Sequence, residues 1–248
     1  MRYMNYKLAV VVLAAGKGVR MKSSLPKVVH KLNGIPMIQR IITNVRKLHP
    51  EKIIAVVGYK KDIVMAAIHK SDNVIFVEQK KQKGTGHAVQ MTKYELKDFS
   101  GYIIVTPGDV PLLTSNTLKD LVSLHQEKKA AATVLTTVMD DAHGYGRIIR
   151  DENGYVTKIV EQKDATEKEK QVQEINTGIF CFDSDALFTS LPLISSDNAQ
   201  NEIYLTDALE ILRKQNKKIA AMKTENRTEV TGVNSKEQLT ALEKEIKE

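Results

Sequence analysis

This sequence predicts an α/β fold, a mostly parallel sheet covered by helices with a small β-rich lobe attached, and three observations carry that expectation. Leu8 to Leu13 is an unbroken aliphatic run of the kind found in strands buried on both faces of a parallel sheet, and it opens into a basic loop containing glycines. Short apolar runs then alternate with helical patterns as far as Met139, which is the signature of strand–helix–strand units. From Gly144 the pattern changes to alternating strands and turns. At 248 residues the chain can bury one full core, with room for a small inserted lobe.

The first strand and its loop read LAVVVLAAGKGVRMKSSLPK. Ala14, Ala15, Gly16 and Gly18 have little or no side chain, so backbone N–H groups can close around a phosphate. Lys17, Arg20 and Lys27 bring three cations to the same place, and such a loop suits an anionic, phosphorylated ligand. It is neither a P-loop nor a dinucleotide fingerprint, since G-x-G is followed by x-R-M and then Pro-Lys. On the glycines alone, a tight turn between the strand and its next element remains the plainer reading.

Beyond the loop, Pro36 opens a helix whose apolar face is Met37, Ile38, Ile41, Ile42, Val45 and Leu48. Ile53 to Val57 and Val74 to Val77 read as strands flanking a short helix from Asp62 to His69. Gly84-Thr85-Gly86 starts a helical pattern that runs to about Leu96; this turn can offer free N–H donors to a ligand or merely begin a helix. Tyr102 to Thr106 is a strand with Asp109 just past its carboxyl end, where ligands sit in open α/β sheets, although a lone Asp in a turn is also an ordinary cap. Ser115 then caps a helix to about Lys129, and Ala131 to Met139 is a further strand.

In the β-rich segment, GYGRIIRDENGYVTKIVEQ forms two strands joined at Asn153-Gly154, a hairpin signal, and Ile175 begins another strand. Glu161 reads on its own as an exposed strand residue and Asn176 as a turn former. A helix follows from about Ile203, with Leu205, Ala208, Leu209 and Leu212 as its buried face, and Lys218 to Lys223 and Val230 to Val233 read as short strands. Asn234 is then a loop residue in front of Ser235 and Gln238, which form a capping box for the last helix.

Composition excludes several classes. The single cysteine, Cys181, lies inside an apolar run, which rules out a disulfide framework and a thiol metal site and fits a reducing cytoplasm. Arg2 and Lys7 before the apolar run imitate a signal peptide, yet cleavage near Ala15 would destroy the glycine loop, and the run is too short to span a bilayer. The net charge of +7 brings no nucleic-acid module with it, so a solvated basic surface that attracts phosphorylated small molecules is expected, with no nucleic acid and no membrane as partners. The six histidines lack ligand spacing.

The pattern L-x(2)-G-x-G-x-R-M-x(4)-P-K, followed by Gln79 with GTGHA, G-D-x-P-L at Asp109, the β-rich segment and GVN at Asn234, resembles the sugar-phosphate nucleotidyltransferases. Among them it is most similar to the N-acetylglucosamine-1-phosphate uridylyltransferases. The resemblance runs from Leu13 to Asn234 in the family's order. It implies a Rossmann-like fold over residues 1–234 with a sugar-binding lobe at about 140–202, followed by a C-terminal helix over 235–248. It implies transfer of a uridylyl group from UTP to N-acetylglucosamine 1-phosphate, giving UDP-N-acetylglucosamine and pyrophosphate, with Leu13, Ala14, Ala15, Gly16 and Gly18 around the nucleotide and Arg20 and Lys27 as the catalytic cations. Gln79, Gly84 and Thr85 are then expected at the uracil, and Gly146, Glu161 and Asn176 at the sugar. Asp109 and Asn234, each after an expected strand, are then the Mg²⁺ ligands. Val19, Pro107 and Asn201 depart from the family's usual residues, which leaves open a uridylyl- or thymidylyltransferase for another hexose 1-phosphate, or a non-catalytic nucleotide-sugar-binding subunit. With no hexapeptide repeat after Val233, neither acetyltransferase activity nor the associated trimer is expected, and a monomer or weak homo-oligomer is.

Overall fold

The computed structural model describes residues 6–246; Arg2 of the basic lead and the last two residues of the expected C-terminal helix lie outside the described residues. Eleven strands are described: β1 (Leu8–Ala14), β2 (Lys31–Leu32), β3 (Ile35–Pro36), β4 (Lys52–Val57), β5 (Ile75–Glu78), β6 (Tyr102–Pro107), β7 (Ala132–Val138), β8 (Arg147–Arg150), β9 (Val156–Val160), β10 (Glu174–Asp183) and β11 (Ile219–Lys223). The α-helices are α1 (Met37–Arg46), α2 (Lys61–Ala66), α3 (Thr85–Gln90), α4 (Ser115–Lys128), α5 (Glu167–Lys170), α6 (Ser184–Ser190), α7 (Asp207–Lys214), α8 (Arg227–Val230) and α9 (Lys236–Glu245).

The main sheet runs β11-β7-β10-β6-β1-β4-β5. β1 pairs in parallel with both β4 and β6, Val11 lying opposite Ile54 on one side and Val105 on the other. Its residues Ala9 to Val12 are fully buried, as the continuous apolar run requires of a strand covered on both faces. Ala9 and Val11 face a core layer that contains Phe180 and Phe182, while Val10 and Val12 face the layer built on Ile38, Ile41 and Ile42 of α1. β10 is antiparallel to both its neighbours and joins the β8–β9 hairpin to the sheet through Ile175 opposite Arg147. The chain leaves β1 for β4 on one side and places β6 on the other, so the loops after β1 and β6 flank the switch point where doubly wound sheets bind ligands.

Several elements differ from the sequence expectation, each for a local reason. Regular helix in α3 ends at Gln90 rather than near Leu96, and the Thr92 hydroxyl donates to the Val89 carbonyl at 2.7 Å, competing with the helical ladder. α7 begins at Asp207 instead of Ile203, because the Ile203 backbone is engaged elsewhere: its N–H donates to Lys83 at 2.8 Å and its carbonyl accepts from Gly86 at 2.7 Å. Residues 230–233 are not a strand: Val230 ends α8, which is capped by Asn226, whose side chain accepts from the Glu229 N–H at 3.2 Å, and residues 231–233 belong to the loop that follows. Thr114, not Ser115, caps α4, accepting from the Thr117 N–H at 3.2 Å. The capping box of Ser235 and Gln238 is present at α9.

Candidate active site

The loop after β1 places its small residues at the carboxyl edge of the sheet. Gly18 has φ +67, a left-handed conformation that glycine adopts without strain, and a Cβ built there would lie 2.4 Å from the Cβ of Lys27. Leu13 and Gly108 are joined by a 2.9 Å hydrogen bond from the Gly108 N–H, which locks the loops after β1 and β6 together. Arg20 and Lys27 sit on the short 3₁₀ turns Val19–Met21 and Lys27–Val29 that follow the glycines.

Four of the sequence-selected residues meet at this edge. Lys27 Nζ donates to Asn234 Oδ1 at 2.8 Å and forms an ion pair with Asp109, and Arg20 Nη2 donates to the same Asn234 oxygen at 2.9 Å. Asn234 is brought there by the loop between α8 and α9, not by a strand, and the Val233 N–H donates to the Asp109 carbonyl at 2.9 Å to hold that loop against the end of β6. Asp109 is buried, so its carboxylate relies on the ion pair with Lys27. Two hard oxygens, Asp109 Oδ2 and Asn234 Oδ1, thus already converge on one cationic centre, a donor set that fits Mg²⁺. Among the described residues no group of three or more His, Cys, Asp or Glu could hold a metal, so an ion at this pair has to complete its shell from water and phosphate oxygens.

A second group lies beside the first. Gln79, just past β5, donates through Nε2 to the Gly84 carbonyl at 3.0 Å, and the same nitrogen is 2.9 Å from His87 Nδ1. Gly58 bridges to the loop after β1, a Cβ there falling 2.9 Å from the Gln79 carbonyl and 3.0 Å from the Ala15 Cβ. Thr85 uses its hydroxyl to accept from the Leu205 N–H at 3.0 Å, so the Gly84-Thr85 turn is fastened to the segment before α7. Burial, and then Lys83, holds the His87 pKa below its ordinary value.

The third group is Gly146, Glu161 and Asn176, where a Cβ on Gly146 would lie 3.4 Å from a Glu161 carboxylate oxygen and 3.5 Å from the Asn176 Cβ. Glu161 is not the exposed strand residue that its sequence suggests. Burial raises its pKa, a hydrogen bond from Thr206 at 3.3 Å opposes the rise, and Asp207, Asp164 and Glu202 add to it. Asn176 accepts from the Gly178 N–H at 2.9 Å, and Gly178 in turn packs against the Pro107 ring, which links this group to the end of β6. Tyr145 lies between the groups: burial raises its hydroxyl pKa, Asp109 adding to the rise and Arg20 opposing it.

Sequence reasoning missed His87, Thr206 and Tyr145. His87 stood in the GTGHA motif without a role, and the contact of Thr206 with Glu161 spans 45 residues, which no local pattern reveals. Of the three departures, Asn201 has φ +52, a conformation that Asn tolerates best after glycine, while Val19 is exposed.

The nucleotidyl transferase profile matches residues 9–228. The chain belongs to that family. Among curated relatives, the bifunctional protein GlmU of Streptococcus pyogenes serotype M3 is 45% identical over 233 residues, covering 94% of this chain and 50% of its own. That of Streptococcus agalactiae serotype V is 46% identical over 234 residues with the same coverage. The chain therefore spans about half the length of the curated relatives it matches. UDP-glucose pyrophosphorylase complexed with UDP-glucose superposes with a TM-score of 0.76 over 97% of this chain and 98% of its own at 18% identity, and apo UDP-glucose pyrophosphorylase with 0.74 at 19%, likenesses of fold. No described helix is long and apolar enough to cross a membrane.

Proposed function

We propose that this nucleotidyl transferase moves a uridylyl group from UTP to N-acetylglucosamine 1-phosphate, giving UDP-N-acetylglucosamine and pyrophosphate in the cytoplasm. The observation that carries the reading is the meeting of Arg20, Lys27, Asp109 and Asn234 at the switch point of the sheet. A phosphate oxygen of the sugar phosphate forms a bond to the α-phosphorus of UTP while the bond from that phosphorus to the bridging oxygen breaks, and pyrophosphate leaves with the electron pair. Such a transfer asks the protein for positioning and charge neutralisation rather than covalent help. The small-residue loop from Leu13 to Gly18 lets the triphosphate approach the backbone, and Arg20 and Lys27 neutralise charge on it. Lys27 turns from its two oxygen partners toward the phosphates when the nucleotide enters. Mg²⁺ held by Asp109 and Asn234 would supply charge neutralisation between two phosphate groups that repel each other.

Gln79, Gly84 and Thr85 face the uracil, and Gly146, Glu161 and Asn176 face the sugar hydroxyl and N-acetyl groups. The joining of these groups through Ala15, Pro107 and Thr206 supports one substrate path from base to sugar. Pyrophosphate release with each nucleoside triphosphate and a panel of sugar 1-phosphates tests the assignment. UTP with N-acetylglucosamine 1-phosphate is expected to give the highest kcat/KM. A preference for dTTP or for glucose 1-phosphate overturns the substrate pair, and no release with any pair overturns catalysis in favour of a binding subunit.

A further inference from the structure

We propose that His87 is a positioning residue that fixes the Gln79 carboxamide to accept a hydrogen bond from a pyrimidine imide N–H, and thereby sets discrimination between uracil and cytosine. The inference deepens the assignment of Gln79 to the base and rests on it.

The argument is one of donor and acceptor bookkeeping. Gln79 is 3% exposed, so its amide is not free to exchange partners with bulk water. The Gly84 carbonyl, 3.0 Å from Nε2, can only accept, which obliges the NH₂ half of the carboxamide to face it. The other N–H of that group points to His87 Nδ1 at 2.9 Å, so Nδ1 must be the acceptor and the ring must be neutral with its proton on Nε2. Burial and Lys83 both favour this uncharged ring. Both amide protons are then engaged, and Oε1 has no partner among the described residues.

A fixed acceptor at the base edge has a defined complement. The N3 position of uracil and thymine donates, whereas N3 of cytosine accepts and would face Oε1 lone pair to lone pair, leaving two polar groups unpaired. Without His87 Nδ1 the carboxamide is held by the Gly84 carbonyl alone and can turn over, presenting its NH₂ to cytosine. His87 lies two residues beyond Thr85 in α3, so the residue that orients the amide belongs to the same turn that approaches the base.

The test compares UTP, dTTP and CTP on the full chain and on His87→Phe, His87→Asn and Gln79→Leu. Loss of one orienting hydrogen bond in His87→Phe should raise the KM for UTP about tenfold, with kcat within about threefold, and relax the UTP:CTP ratio of kcat/KM by about tenfold. The UTP:dTTP ratio should stay put, because both bases donate at N3. His87→Asn puts an amide oxygen where Nδ1 was and should recover most of the selectivity. Nitrogen-15 shifts of His87 in the parent protein provide a check that needs no variant, the expected state being a bare Nδ1 with the proton on Nε2. A folded His87→Phe with an unchanged UTP:CTP ratio, or a proton on Nδ1 in the parent, overturns the proposal. An unchanged KM for UTP in Gln79→Leu overturns the base assignment itself, whereas a Gln79→Leu defect beside an indifferent His87→Phe removes only the role of His87.

Discussion

Gly18→Ala should slow turnover through a residue that the substitution does not change. The new Cβ would fall 2.4 Å from the Lys27 Cβ, and carbon atoms in good contact sit at about 3.5–4.0 Å, so Lys27 or its turn must retreat by about 1 Å or more. The closest atoms belong to the stem of Lys27, including its backbone Cα at 3.4 Å, so swinging the far end of the side chain does not relieve the overlap. Misplacement of a catalytic group on this scale costs about a hundredfold in rate. The left-handed φ of +67 adds about 1–2 kcal/mol of backbone strain to the folded state. Gly16→Ala is the matched control, because a Cβ there meets nothing within 4 Å and the backbone is not left-handed. Pyrophosphate release at saturating UTP, with urea unfolding of both variants, reads the two effects separately. The expected pattern is a hundredfold lower kcat and lower stability for Gly18→Ala, against parent-like stability and at most a raised KM for UTP in Gly16→Ala. A Gly18→Ala variant with kcat within about threefold of the parent refutes the idea that the loop's conformation sets the position of Lys27.

Three further outcomes are expected. Arg20→Ala should lower kcat by roughly a hundredfold, the scale of losing one charge-stabilising donor, and an effect confined to the KM for UTP would make Arg20 a ground-state contact. Thr206→Val removes the hydrogen bond to Glu161 and should raise the KM for the sugar phosphate about fivefold, roughly 1 kcal/mol, with little change in the KM for UTP; equal effects on both would count against a sugar-side role. His125 is fully buried, and burial lowers its pKa from 6.5 to about 4. The unfolded chain therefore binds a proton that the native state refuses between those values, so stability holds above about pH 6.5 and falls by roughly 3 kcal/mol toward pH 4. Urea unfolding at pH 7 and 4.5 should show a smaller loss for His125→Asn, and an identical loss would assign the acid sensitivity elsewhere.

How much of this was legible in the sequence depended on how local the information was. The buried central strand follows from Leu8 to Leu13 alone, and the buried face of α1 from the spacing of Met37, Ile38, Ile41, Ile42 and Val45. The quartet of Arg20, Lys27, Asp109 and Asn234 was legible only because a motif names it; no periodicity says that the loop carrying Asn234 packs against Asp109 at the end of β6. The placement of β10 was not legible, since an apolar strand looks the same whether its neighbours run parallel or antiparallel. Ile203 shows the converse limit: its helical pattern with Leu205 and Leu209 is real, yet backbone bonds to Lys83 and Gly86 hold it out of the helix. The same long-range fastening hid Thr206 and made Glu161 look exposed.

The role of the Asp109–Asn234 pair can be read from turnover and UTP affinity measured side by side on Asp109→Asn and Asn234→Ala at increasing Mg²⁺. Repulsion between the two phosphate groups is greatest during transfer, so kcat is expected to fall about a hundredfold or more in both variants while the Kd for UTP moves by less than about tenfold. Near-normal turnover in either variant, or undiminished activity of the parent protein in EDTA, would contradict the assignment of the four residues as the transfer centre.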